Sequence, residues 1–395
     1  MINGFFLMKD IHLPISQFYK LFLLVLMAFK VLYTRDFLFF ILIFFSFLIA
    51  PFFGFIKTGD FYFFIEDVIT AIKWVSIPLS FFYFKNLFQS TYFIKIYNWI
   101  KYSVILGFLF LLINLALGAA GLGMSFYFHG YGNAVGTRGF IYAGNELTIL
   151  VLTLGFLIAS YLKQNKYYKI FVLSLFIFLI FSFLITSKTV LGGVLVVFLI
   201  PWISSISKRI SFKKLQIWFV VFLLGLPTLI GVFYYGVTKS GVLEKLKISS
   251  KMNDGDFWQT LLSNRNNFLI DGWIIYREKY NFLEKVLGLG QNFYVNLVES
   301  IPELDFFTLL FTNGISGLSI LLIIIYYWFL NANKLKELKG YNYSNAVILF
   351  LFFLIISANL AGHIFSSAIA GFYIGLAIAL MFFNTNKLEL KNKKL

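Results

Sequence analysis

The sequence predicts an all-α, polytopic integral membrane protein with about 11 transmembrane helices (10–12) and one large extracytoplasmic loop containing short helices. Hydrophobic residues make up 60% of the 395 and charged residues 13%. Apolar runs recur at the roughly 20 residues that a helix needs to cross the hydrocarbon core. Polar residues instead concentrate in one long interruption, residues 237–303, beside otherwise short connections. The chain 1–395 is read as a single membrane-embedded domain. Its six prolines are too few for disordered linkers, and the absence of cysteine excludes disulfides, thiolate metal sites and a cysteine nucleophile.

Taken in order, the predicted helices cover 16–33, 37–56, 61–84, 101–122, 144–162, 168–186, 190–205, 215–235, 302–331, 345–361 and 366–383. The apolar patch at 5–8 is too short for a signal-peptide core, so the first helix is expected to insert uncleaved. Residues 85–101 space Phe88, Tyr92, Ile96 and Trp99 as on an amphipathic helix lying in the inner leaflet, with a polar connector as the alternative. No internal repeat is visible.

A net charge of +16 suggests a polyanion partner until its placement is considered. The basic residues cluster in short connections: Lys163, Lys166 and Lys169; Lys208, Arg209, Lys213 and Lys214; Lys334, Lys336 and Lys339; and the tail from Lys387 to Lys394. By the positive-inside rule these connections are cytoplasmic, and no nucleic-acid role is expected. Between 237 and 305, 8 Lys and Arg face 9 Asp and Glu, so the long loop is near neutral and belongs outside. Eleven crossings then put the N-terminus outside, against the preference of Lys9 and Lys20.

This topology brings four connections to one face: the 121–145 loop with Arg138, the Ser187-Lys188-Thr189 turn, the long loop with Arg265 and Arg277, and the Gly362-His363 turn. Several cations on one surface suit an anionic ligand, and arginine grips phosphate with paired donors, so pyrophosphate is the natural candidate. Each cation alone is equally well read as an interface anchor. Glu303 and Asp305, two residues apart on a predicted helix start, point to different sides. Glu303 is taken as the cavity residue and Asp305 as a cap or ion-pair partner. His363 is an acid–base candidate at a turn. Glu66, Asp67 and Lys73 inside a predicted helix are either structural ion pairs or a substrate path. Asp254-Gly255-Asp256 is a weak metal motif, and Gly288-Leu289-Gly290 reads as a turn. On the loop, Leu269, Trp273, Tyr276 and Tyr280 share one side, with packing the safer reading than a sugar platform.

Thr137-Arg138-Gly139-Phe140 with Gly144-Asn145, Thr186-Ser187-Lys188-Thr189, Ser263-Asn264-Arg265, Glu303-Leu304-Asp305-Phe306 running to Asn313-Gly314-Ile315-Ser316-Gly317, and Gly362-His363 together resemble the Wzy-type O-antigen and capsular polysaccharide polymerases. The resemblance spans nearly the whole chain. O-antigen ligases share the architecture but carry a His-Asn pair where this chain has Glu303-Leu304, which favours the polymerase. The resemblance implies a metal-independent, cofactor-free glycosyltransferase in the bacterial inner membrane with its active site facing the periplasm. Donor and acceptor would both be undecaprenyl-pyrophosphate-linked glycans, and a chain-length regulator and a flippase would be partners. Arg138, Arg265, Lys188 and Arg277 would bind the pyrophosphate. Glu303, Asp305 or His363 would take the proton from the attacking hydroxyl. A ligase, or a flippase relying on Lys73, Glu66 and Asp67, is the alternative.

Overall fold

The computed structural model describes residues 15–90, 93–127, 135–205, 259, 265–298, 301, 303–360 and 362–386. It is a helical membrane protein: α1 (Ile15–Leu32), α2 (Phe37–Thr58), α3 (Phe61–Gln89), α4 (Phe93–Ala119), α5 (Gly144–Gln164), α6 (Tyr168–Ile185), α7 (Lys188–Ile203), α8 (Arg265–Glu278), α9 (Phe282–Leu287), α10 (Gln291–Val298), α11 (Asp305–Leu335), α12 (Ser344–Leu360) and α13 (Gly371–Ala379), which runs into a 3-10 turn, Leu380–Phe382. Six of these are long and apolar enough to cross a membrane, and α7, α12 and α13 are shorter apolar helices. The predicted span 215–235 and the Asp254-Gly255-Asp256 triplet lie outside the described residues.

Three elements differ from expectation. The 85–101 stretch is not a separate amphipathic helix: α3 runs on to Gln89 and α4 starts at Phe93. The rings of Phe88 and Phe93 meet Phe383 edge to face and that of Tyr97 meets it tilted, so the aromatic spacing serves helix packing. Between α4 and α5, where only a loop was read, Met124–Tyr127 (β1) and Val135–Gly139 (β2) form an antiparallel hairpin. Finally, the last helix starts at Gly371, and the backbone from 362 to 370 is unwound.

The bundle is held by close approaches at small residues, since lipid offers no hydrophobic gain for helix association. Gly371 and Gly375 of α13 lie against Ser76 and Ser80 of α3, so tightly that a Cβ on Gly375 would stand 2.4 Å from the Ser80 Cβ. Helices α3, α5, α7, α11, α12 and α13 share one continuous apolar core around Phe81, Phe156, Phe350 and Trp328.

The three short helices α8–α10 form a second cluster, in which Tyr276, Tyr280, Leu289 and Tyr294 surround Phe311 of α11. Tyr276 and Tyr280 are buried here, so the tyrosine side of α8 packs against protein. Polar ties fix this cap to the bundle. Glu284, in a capping box with Asn281, pairs with Lys57 at the end of α2. Asp67 accepts from the Gln291 and Asn292 backbone N–H groups, 2.9 Å each, and so caps α10. The Leu289 and Gly290 N–H groups donate to the Thr312 carbonyl, 3.1 and 2.9 Å, next to the non-helical Gly314 that breaks α11. Gly288 has φ +77°, and a Cβ there would meet the Thr312 oxygen at 2.4 Å. Gly288→Ala should therefore lower stability by roughly 1–3 kcal/mol. Gly192→Ala, at a helical glycine with open space around it, should raise stability by about 0.5–1 kcal/mol. Thermal unfolding of the two variants in detergent, side by side, checks the opposite signs.

Candidate functional site

The site is built around the unwound segment between α12 and α13. In a bilayer every backbone N–H must find a partner, and irregular backbone survives only where protein or a polar cavity supplies one. Two carboxylates do this here. Asp305, the buried first residue of α11, accepts from the Ile364 and Phe365 N–H groups at 2.7 Å each. Glu146, in the first turn of α5, accepts from the Ile369 N–H at 3.0 Å. Ser367 Oγ takes the Ala370 N–H at 3.1 Å. The predicted helix start at 366 fails for this reason: side chains from two other helices outcompete the helical carbonyls for these donors. Glu146 was missed by sequence reasoning. The signal available was a carboxylate at the head of an otherwise apolar helix.

Glu303 does not lie on α11 as predicted. It precedes the helix in a left-handed conformation, φ 54°, as do His363, φ 54°, and Gly362, φ 68°. The two turns are pressed together so closely that a Cβ on Gly362 would fall 1.6 Å from the Glu303 carbonyl oxygen. This contact places Glu303 beside His363, with Nε2 to Oε1 at 3.8 Å, an ion-pair distance too long for a hydrogen bond. From the other side Arg265, the first residue of α8, donates from Nη2 to Glu303 Oε2 at 2.9 Å and from Nη1 to the Leu360 carbonyl at 3.1 Å. Its Nε is buried and has no hydrogen-bond partner among the described residues. Of the two carboxylates, Glu303 is the accessible one, its side chain 42% exposed. Asp305 is consumed by the backbone.

The local electrostatics follow from this geometry. The His363 imidazole, and after it the Arg265 guanidinium, hold the Glu303 carboxyl down at about 2 against the opposing effect of burial. Burial in turn depresses the His363 imidazole, but the facing Glu303 and Asp305 carboxylates outweigh it and raise its pKa above the usual histidine value. The Glu303 carboxylate thus faces the Arg265 guanidinium on one side and the His363 imidazole, its pKa raised, on the other.

Arg265 also lines a cavity of about 700 Å³ between α5, α7 and α12. Its polar end is formed by Arg265, Lys188, Thr189, Ser187 and Asn145. Most of the rest of its wall is apolar, from Val196, Leu199 and Ile203 on α7 to Phe352 and Ile356 on α12, with Thr148 and Ser357 among it. Lys188 begins α7 after the left-handed Thr186 and stands within electrostatic reach of Arg265. The hairpin backs this turn, with Gly136 against Thr186.

The other predicted residues are placed differently. Arg138 donates to the Tyr142 carbonyl at 2.6 Å and lies over the Tyr142 ring, outside the cavity lining. Buried Asn114 holds the backbone around it, donating to the Arg138 carbonyl and accepting from the Phe140 N–H. Arg277 is exposed in the last turn of α8, about 18 Å along the helix axis from Arg265. Asp67 is the cap of α10, and Glu66 accepts from the Tyr62 hydroxyl at 2.7 Å. Lys73 and Glu146 both lie in electrostatic range of Lys20 on α1. No protein-family model, curated protein or solved structure matches the chain.

The histidine–glutamate pair makes stability depend on pH. Because the folded pKa of His363 is raised, its contribution is fully present below the unfolded value of about 6.5 and is lost as pH rises through the folded one. The Tm difference between wild type and His363→Gln, measured in detergent from pH 5 to 9, should therefore shrink with rising pH. In a Glu303→Gln background that pH dependence should be weaker. A flat difference in the wild-type background would contradict the pairing.

Proposed function

We propose that the chain is a membrane glycosyltransferase of the Wzy type, which joins undecaprenyl-pyrophosphate-linked oligosaccharide repeat units into O-antigen or capsular polysaccharide. The observation that carries this reading is the cavity itself. It offers two cations and a helix N-terminus at one end and an apolar wall along α7 from Gly192 to Ile203, a run of about 17 Å by helical rise. A ligand with an anionic head and a long hydrocarbon tail fits that division. Arg265 and Lys188 grip the pyrophosphate, joined by the positive end of the α7 dipole.

In the transfer, an acceptor sugar hydroxyl attacks the anomeric carbon of the donor glycan. The new C–O bond forms as the bond to the pyrophosphate oxygen breaks, and undecaprenyl pyrophosphate leaves with the electron pair. Glu303 takes the hydroxyl proton. Ion-paired as found, it is a weak base. When the Arg265 guanidinium turns to the pyrophosphate, Glu303 loses one of the two cations that hold its pKa down and becomes more basic. Arg265 thereby couples donor binding to base strength. His363 keeps the carboxylate oriented, and Asp305 holds the turn that carries His363. In this reading the protein has about 11 spans with the long loop outside, sits in the inner membrane, and works beside a chain-length regulator and a flippase.

Purified protein in nanodiscs with synthetic undecaprenyl-pyrophosphate repeat units should give a glycan ladder and release undecaprenyl pyrophosphate. Arg265→Ala and Glu303→Gln should each lower both signals by about 10²–10³-fold without unfolding the protein. Unchanged laddering in both variants would remove this site from the reaction. Wild-type protein that moves a fluorescent lipid-linked glycan across the bilayer but builds no ladder would favour a flippase instead.

A further inference from the structure

At the basic end of the bundle, away from Arg265, lies a second crevice of about 370 Å³ between α4, α5, α6 and α13. Its existence follows from how α4 packs. The α4 backbone meets α13 at Gly107, where a Cβ would stand 2.4 Å from the Tyr373 hydroxyl, and that hydroxyl donates to the Ser103 carbonyl at 3.1 Å. At the same glycine Leu154 of α5 would stand 3.4 Å from that Cβ, so α4 touches α13 and α5 together at this level. Only 17% of the α4 apolar window is buried, against 39% or more for the other five long apolar helices. The gap is walled by apolar side chains, among them Val104, Phe108, Leu157 and Ile177. Among the described residues its one charged lining side chain is Lys101, whose ammonium lies over the Tyr161 ring, 5.5 Å from its centroid. Tyr161 lies near the end of α5, where Lys163 in its last turn, Lys166 in the connection and Lys169 at the start of α6 gather basic charge.

We infer that this crevice is a binding site for an anionic membrane phospholipid, with one acyl chain between α4 and α5 and its phosphate on Lys101. The apolar wall explains the chain, and a single lysine at the head of that wall, beside a basic connection, explains the headgroup charge. Basic pockets between membrane helices recognise anionic lipids in this way. The ligand and its end of the bundle are separate from the cavity at Arg265, so the inference stands or falls independently of the glycosyltransferase reading.

The test is lipid binding to the full chain in detergent, read by native mass spectrometry and by the shift in Tm. The probes are phosphatidylglycerol, phosphatidylcholine with the same acyl chains, and inorganic phosphate. Phosphatidylglycerol should bind more tightly than phosphatidylcholine and raise the Tm further, and inorganic phosphate should do neither. Lys101→Gln should weaken phosphatidylglycerol about fivefold while leaving phosphatidylcholine unchanged, and Lys101→Arg should restore the preference. Val104→Trp, which fills the crevice, should reduce both lipids. Equal binding of the two lipids to wild type, or an unchanged preference in Lys101→Gln, would overturn the site. So would a stabilisation that inorganic phosphate reproduces.

Discussion

The arrangement depends on one constraint: nine residues of non-helical chain, 362–370, are kept inside a helical bundle where water is scarce, so their N–H groups must be met by other polar groups. Asp305 from α11 and Glu146 from α5 meet them, and the positions of Gly362, His363 and Glu303 follow. A carboxylate accepting several backbone donors is among the stronger neutral-to-charged hydrogen-bond sets, and it is worth more in a low-dielectric interior. The acid residues that look most like catalysts in the sequence are therefore divided in function. One builds the backbone and the other is left accessible.

The same division runs through the rest of the buried charge. Lys57 and Glu284, Asp67 and the start of α10, and Lys85 with Asp36 at 2.7 Å are tethers between elements distant in sequence. Taken from the sequence alone, charges within apolar helices suggest a conduction path. In the fold each of these three finds its partner at a helix end, where it fixes the short helices α9 and α10 or the α1–α2 connection to the bundle.

What could be read from the sequence was set by period and length. Long apolar runs located α1 to α7, α11 and α12, with the largest end error at the start of α4, because a bilayer leaves little other choice. The packing role of Tyr276 on α8 and of Tyr280 just beyond it was likewise legible. The unwound stretch was legible only in its first part, the Gly362-His363 turn; residues 366–370 were read as helix, because Ile369 and Ala370 look like any apolar helix until their N–H groups are claimed from elsewhere. The Gly371 and Gly375 pair against Ser76 and Ser80 was legible in principle, being small residues at four-residue spacing on both helices. In the site, Arg265 and Lys188 could be nominated by residue type and side and line the cavity, with Glu303 and His363 beside Arg265, whereas Arg138 and Arg277 share those properties and are placed away from it. Side and residue type say nothing about which way a guanidinium turns, or where along a helix it lies.

Helix α8 is fixed to the bundle at its far end, where Tyr276 and Tyr280 bond to the Lys285 and Phe311 carbonyls, and it presents Arg265 at the near end. Among the described loop residues, Arg265 is the one that enters the cavity wall. The helix is therefore a lever with its pivot in the tyrosine cluster. Over a length of about 18 Å, a tilt of a few degrees at the pivot carries the guanidinium more than an ångström across the cavity mouth. Misplacement on that scale is enough to cost a reaction about a hundredfold in rate. The packing of phenol rings around Phe311 thus sets the aim of a charge at the opposite end of the helix.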